Sequence, residues 1–192
     1  FEVDGVRVSR LEDFRLVTGS GKYASDWNMP GQLYGHFLRS DRAHARIVAL
    51  HAKAAREHPG VHAVLTGEDA VRAGYVQPVS FFNLTGKNGM RARVPQWPVL
   101  ACGRVRFVGE PVAFIVAESA HIAQDAGALI EIEYEELPVV IDSEKALAPG
   151  APQLHENVPG NMPFECEAGD ATAVATQFAA AAHITRLKLA ST

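Results

Sequence analysis

The hydrophobic pattern between Pro111 and Glu136 changes period twice, and this constrains the fold more than any other stretch of the chain. Pro111–Ala117 (PVAFIVA) is a continuous apolar run rich in Val, Ile and Phe, the pattern of a strand covered on both faces. Ser119 then offers a helix N-cap, and Ile122, Ala123, Ala126, Leu129 and Ile130 recur at helical spacing to form one apolar stripe. Next, Ile130, Ile132 and Tyr134 alternate with Glu131, Glu133 and Glu135, so the following strand buries one face and turns its carboxylates to water. The order is strand, helix, strand. A parallel pairing of the two strands with a right-handed crossover is the expectation.

Upstream, Asp4-Gly5 suggests a tight turn between two short strands, and Arg10–Tyr23 reads as an irregular arm with a glycine turn. Gln32–Arg39 and Ala43–Leu50 alternate as two strands, and the polar Ser40-Asp41-Arg42 link suggests a hairpin. Lys53–Glu57 is a short helical stretch stopped by Pro59-Gly60, and His62–Leu65 is another strand. Thr66-Gly67-Glu68-Asp69 opens a helix running to about Gly74. Gln77–Pro98 is the one long stretch without periodicity. It reads either as a surface loop or as a loop that meets a partner or lines a site, with Phe81, Phe82, Arg91 and Arg93 as the candidate partner or funnel contacts.

The net charge of -4 comes from interleaved acids and bases with no basic stripe, which excludes a nucleic-acid surface. No apolar run approaches the roughly 20 residues a membrane helix needs, and residues 1–15 lack a secretory core segment, so a cytoplasmic chain is expected. Cys102 and Cys166 are far apart and form no metal-type cluster, so each is read as a free, half-buried thiol. His36, His44, His121 and His155 show no ligand spacing. Gly19-Ser20-Gly21-Lys22 lacks the first glycine and the final Ser or Thr of a phosphate loop and is read as a glycine turn. Glu131, Glu133, Glu135 and Glu136 are a solvated strand face, with nothing nearby to desolvate one of them. The residues specify a fold and no visible chemistry, so no catalytic, cofactor-binding or metal-ligating residue is assigned.

Five blocks occur in order along nearly the whole chain: RLEDFRLVTGSGKYASD at Arg10–Asp26, LRSDRAHARI at Leu38–Ile47, PGVHAVLTGED at Pro59–Asp69, VRFVGEPVAFIVAES at Val105–Ser119 and IEIEYEELPVVID at Ile130–Asp142. Together they resemble the amino-terminal region of the molybdenum-binding large subunit of the xanthine oxidase, aldehyde oxidase and aerobic carbon monoxide dehydrogenase family. The resemblance implies an α+β fold, an α/β hammerhead domain with a mixed sheet and a βαβ unit. It implies oxidation of an aldehyde, an N-heterocycle or CO at a molybdopterin-bound molybdenum centre, with water as the oxygen source. Electrons would pass to 2Fe-2S clusters and FAD on partner subunits or domains. The family's active-site glutamate, its pterin-holding loops and its copper-ligating cysteine lie further along the large subunit, so none is carried onto a position here, Cys102 and Cys166 included.

Gly160–Ala168 reads as an extended linker. Asp170 caps an alanine-rich helix to about Ala182, and His183–Ala190 reads as a strand with Thr185, Leu187 and Leu189 on one face. The resemblance makes this helix and strand the start of a molybdopterin-binding domain, giving a hammerhead domain with its arm at residues 1–160 and a truncated second domain at 161–192. The expected role is the structural and subunit-contact front part of a molybdenum hydroxylase, inactive alone. Its expected partners are the rest of the large subunit and the FAD and iron–sulfur subunits. A free-standing hammerhead binding module, a naturally split subunit and a small thiol enzyme using Cys102 or Cys166 with a histidine are the alternatives.

Overall fold

A computed structural model describes residues 2–3, 6–7, 10–75, 84–95 and 97–189. By its internal contacts the chain divides into two units, one of residues 1–74 and 100–136, the other of 75–99 and 137–192.

The first unit begins with a two-residue pairing of β1 (Glu2–Val3) with β2 (Val6–Arg7), as the sequence pattern predicts, although Asp4 and Gly5 lie outside the described residues. The arm is not wholly irregular: it holds a short helix α1 (Asp13–Val17), whose first-turn Asp13 carboxylate accepts the Arg10 N–H at 3.1 Å. Gly19, at φ 72°, closes this helix, with the Gly19 and Ser20 N–H groups donating to the Leu16 and Arg15 carbonyls. The glycine therefore serves a helix C-terminus, the commonest use of a left-handed residue.

Among the described residues, six further strands form two antiparallel three-stranded sheets. β3 (Tyr34–Arg39), β7 (Pro111–Ala117) and β5 (Val61–Thr66) make one in the order β3-β7-β5. β6 (Arg104–Val105), β4 (Ala45–His51) and β8 (Glu131–Glu136) make the other in the order β6-β4-β8. α2 (Lys53–Arg56), α3 (Gly67–Arg72) and α4 (Ala120–Ala128) complete the unit. α4 is capped by the Ser119 hydroxyl, which accepts the Ile122 N–H at 3.2 Å, and it packs on β3 and β7.

Two sequence expectations fail on pairing. The strand-helix-strand order of β7, α4 and β8 is present, but the two strands belong to different sheets, and every described strand pair is antiparallel. β7 is the central strand of its sheet, with Val112, Ala113, Ile115 and Ala117 buried and Phe114 and Val116 half-buried, and an apolar run of this kind does not require parallel neighbours. Ala113, Ile115 and Ala117 face one core with Ala55, Val64, Ala123 and Ala126, while Val112 joins Ala45, Ala101 and Val105 in a second. Phe114 stacks on Phe37 at 4.5 Å between ring centroids. The first core is rich in alanine, so helices approach the sheet closely. Full burial of Ile115 alone is worth about 1.5–3 kcal/mol.

β3 and β4 do not form a hairpin either. β3 pairs with β7, β4 pairs with β6 and β8, and residues 40–44 carry the chain from one sheet to the other. The link is held by its own backbone: the Ser40 N–H donates to the Glu110 carbonyl at 2.9 Å and the Gly109 N–H to the Ser40 carbonyl at 2.7 Å.

In the second unit, the stretch read as aperiodic contains a hairpin. Thr85 bridges Arg91, the Gly86 N–H donates to the Met90 carbonyl at 2.7 Å, and the Ala92 N–H donates to the Leu84 carbonyl at 3.0 Å. Its turn is Asn88-Gly89 with positive φ at both residues (56° and 75°), the type I′ geometry for which this dipeptide is favoured. The linker segment flanks it, with the Lys87 N–H donating to the Glu165 carbonyl and the Arg93 N–H to the Pro163 carbonyl. Asn161 ties the same unit together: its amide donates to the Ala146 and Pro152 carbonyls at 3.0 and 2.8 Å, and its oxygen accepts the Leu154 N–H at 3.0 Å. α5 (Ala171–Ala180) follows, capped by the Asp170 carboxylate, which accepts the Ala173 N–H at 2.9 Å. Residues 183–189, expected as a strand, form none among the described residues, and Leu187 is 78% exposed.

Candidate functional site

Three places in the molecule carry polar groups that the packing alone does not explain. The first is the double crossover between the sheets of the first unit. Its two segments, 40–44 and 106–110, bring together the buried side chains of Ser40, His44 and Glu110. Glu110 is 2% exposed, and its carboxylate accepts the Arg106 N–H. Burial pushes the Glu110 carboxyl above the ordinary carboxylate range, opposed by hydrogen bonds from the Arg106 and Phe107 backbone and by the charges of Arg106 and His44. Tyr134, on β8, is likewise raised by burial.

The second is a cleft of about 660 Å3 between β4 and β5, floored by residues 101–103. Thr66 and Asp69 form a capping box at the start of α3: the Asp69 carboxylate accepts the Thr66 N–H and hydroxyl at 3.0 and 2.8 Å. These bonds, with the charges of Arg56 and Arg72, hold Asp69 below the usual carboxylate range against the cost of its partial burial. Arg56 and Arg72 approach the same carboxylate at 3.4 and 3.2 Å. Gly67 lies so close to the floor that a Cβ there would sit 2.2 Å from the Ala101 carbonyl oxygen.

The third is the exposed face of the hairpin in the second unit. Of the four contact candidates read from sequence, Phe81 and Phe82 lie outside the described residues. Arg91 and Arg93 are exposed on one strand at alternate positions and make no side-chain hydrogen bond or ion pair with another described residue. Lys87 behaves differently, lying 3.6 Å from Glu165 and 3.3 Å from Glu167. The hairpin was detectable in the sequence from Asn88-Gly89. The buried acid was detectable as the single charge inside the otherwise apolar VGEPV.

The strand carboxylates behave as a solvated face. Glu135 pairs with Arg46 at 3.0 Å, Glu133 with His51 at 3.2 Å and Glu136 with Arg42 at 3.4 Å, all substantially exposed. Cys102 and Cys166 are free and exposed, not half-buried, since each sits in a non-repetitive segment outside both cores. Among the described residues no three His, Cys, Asp or Glu side chains are grouped to hold a metal ion. No helix among the described residues is long and apolar enough to cross a membrane.

Two small antiparallel sheets exchanging strands through paired crossovers, with short helices packed on them, define an α+β domain of the hammerhead class. Residues 18–138 match the family described as aldehyde oxidase and xanthine dehydrogenase, a/b hammerhead domain, and the chain belongs to that family. It is 39% identical over 158 residues to the carbon monoxide dehydrogenase large chain of Afipia carboxidovorans, covering 82% of this chain and 18% of that one. It is 42% identical over 161 residues to the nicotine 6-hydroxylase large subunit of Paenarthrobacter nicotinovorans, covering 83% and 19%. In structure it resembles the reconstituted CO dehydrogenase from Oligotropha carboxidovorans with a TM-score of 0.76 at 35% identity, over 93% of this chain and 22% of that one. The chain thus spans about a fifth of the length of these relatives.

Proposed function

We propose that this chain is the amino-terminal structural and subunit-contact part of a molybdenum hydroxylase large subunit, and that it performs no chemistry alone. The complete enzyme would oxidise an aldehyde, an N-heterocycle or CO with water as the oxygen source. The carrying observation is the family match over 18–138 in relatives that are themselves large chains roughly five times longer. In this reading residues 1–160 are the hammerhead domain with its arm, and 161–192 are the linker and the first elements of a molybdopterin-binding domain. The exposure of α5 along its whole length and of Leu187 and Leu189 supports that division, since such apolar surface calls for a cover.

Molybdopterin and its metal would be held by the remainder of the subunit, and 2Fe-2S clusters and FAD by partner subunits or domains. The assembly would be cytoplasmic. Within it the hairpin face bearing Arg91 and Arg93, with Phe81 and Phe82 on the preceding segment, would meet a partner or wall the substrate funnel.

Reading the gene past the codon for Thr192 and purifying its product tests this. The expected result is an open frame of several hundred further codons and a purified complex containing molybdenum. A stop codon directly after Thr192, with no separate molybdenum-binding polypeptide co-purifying, overturns it in favour of a free-standing module.

A further inference from the structure

The cleft beside β4 has the geometry of a strand-addition site, and this inference rests on the large-subunit reading above. β6 pairs with β4 only at Ala45 and Arg46, with one further backbone bond from the Ile47 N–H to the Gly103 carbonyl at 3.0 Å. At Gly103, held at φ 72°, the chain leaves the line of β6 and passes over Gly67. From Ala49 to His51, beyond the irregularity at Val48, β4 therefore pairs with β8 on one side and with no described strand on the other.

The opposite wall of the cleft is β5, the edge strand of the first sheet. Two open edges thus face one space, and exposed edges of this kind are templates for an added strand. Val48 is 60% and Leu65 45% exposed, so each wall offers an apolar side chain to an occupant. The guanidiniums of Arg56 and Arg72 share a single carboxylate, Asp69, and Arg56 already reaches the Val64 carbonyl at 3.5 Å. Their remaining N–H groups suit the main-chain carbonyls of an extended peptide. Glu68, also in the lining, disfavours an acidic side chain beside it.

We propose that an extended segment of about four residues, from the part of the same large subunit beyond residue 192, adds to β4 alongside Ala49–His51 and continues the line that β6 abandons. The source is argued from length: the relatives carry roughly four fifths of their chain outside the matched region, and a same-chain strand binds without the entropy cost of a separate partner.

The test uses the complete enzyme with a photo-crosslinking benzoylphenylalanine in place of Val48 and, separately, of Leu65, followed by peptide mapping. A cross-link to one extended peptide from beyond residue 192 of the same polypeptide is the expected result. Capture of a flavin or iron–sulfur subunit, capture of a second copy's residues 1–192, or no capture at either position overturns the proposal. Amide hydrogen exchange on the unsubstituted enzyme gives a second reading that needs no variant. The outward-facing amides of Ala49–His51 are expected to exchange at least ~10-fold more slowly than freely exposed amides, and free exchange there overturns the proposal. A gene that ends at Thr192 defeats the large-subunit reading, whereas a long frame with an open, uncaptured edge defeats the strand alone.

Discussion

The Glu110 carboxylate accepts the backbone N–H of Arg106, four positions earlier in the chain, inside the turn that carries the backbone from one sheet to the other. The bond fixes the turn at the cost of burying a charge beside Ser40 and His44.

The cost makes Glu110 a source of pH dependence. Burial raises its carboxyl above the ordinary range, so its contribution is full below the unfolded-state value and is lost as pH rises through the folded-state value. Glu110→Gln keeps an acceptor for Arg106 but cannot ionise, so the variant should gain stability relative to the parent as pH rises from about 4 to 7. Glu110→Ala removes the acceptor of the Arg106 N–H and should cost about 1–3 kcal/mol at low pH, a loss that shrinks as pH rises because this variant cannot ionise either. Thermal unfolding of the complete protein across this range reads both effects. A Gln-minus-parent difference that stays flat with pH would show that the buried acid does not titrate with folding.

Asp69 predicts the opposite slope. Its bonds to Thr66, then the nearby Arg56 and Arg72, depress its carboxyl, so its stabilisation is present above the unfolded-state value and lost as pH falls through the folded-state value. Thr66→Ala should cost about 1 kcal/mol at neutral pH and less in acid, because the hydroxyl bond is worth most to the ionised carboxylate. Equal losses at both pH values in unfolding measurements would show that the cap acts without the charge.

How far the sequence reveals this molecule depends on the range of each signal. Ser119, Thr66 and Asp170 were legible as caps because an N-cap and its target N–H are two or three residues apart. The alternation of Ile132 and Tyr134 with glutamates was legible because its period is local. Strand partners were not legible. Val112–Ala117 is apolar whether its neighbours run parallel or antiparallel, and nothing near Arg39 announces that its partner is Pro111 and not the next strand. The Arg91 and Arg93 side chains stand out by charge in a stretch without periodicity, and the Asn88-Gly89 dipeptide is the one local signal of the hairpin that holds them. Glu110 is marked only by being the single charge within VGEPV, a weak signal because a glycine and a proline on either side of an acid equally suit an exposed turn.

Gly67 and Gly103 test two different demands on glycine around the cleft. At Gly67 the backbone angle is ordinary, but a Cβ would meet the Ala101 carbonyl at 2.2 Å, so Gly67→Ala must move backbone and should cost about 1–3 kcal/mol or more. Gly103 has open space but φ 72°, so Gly103→Ala should cost about 1–2 kcal/mol through the left-handed conformation. Replacing Gly103 with D-alanine by semisynthesis isolates the second demand, because a D-residue accepts a left-handed backbone, and it should restore the parent's unfolding midpoint. A D-alanine at position 103 that unfolds like Gly103→Ala would show that the backbone angle is not the constraint, and a Gly67→Ala variant with the parent's midpoint would show that the close approach to Ala101 does not constrain the chain.

Arg91 and Arg93 should be silent in folding and visible in assembly. Neither has an ion-pair partner among the described residues, unlike Lys87 between Glu165 and Glu167, so the double change Arg91→Ala, Arg93→Ala should shift stability by less than about 0.5 kcal/mol. If their face meets a partner, truncating two guanidiniums held at a fixed spacing by the hairpin should weaken subunit association by roughly 10-fold or more, equivalent to about 1.4 kcal/mol. Lys87→Ala is the internal contrast: it loses contacts within its own unit and should act on stability more than on association. Native mass spectrometry of the assembled enzyme, run beside unfolding curves of the same variants, distinguishes the two effects. Intact association and unchanged turnover in the double variant would remove this face from the interface and leave the hairpin a structural element of its own unit.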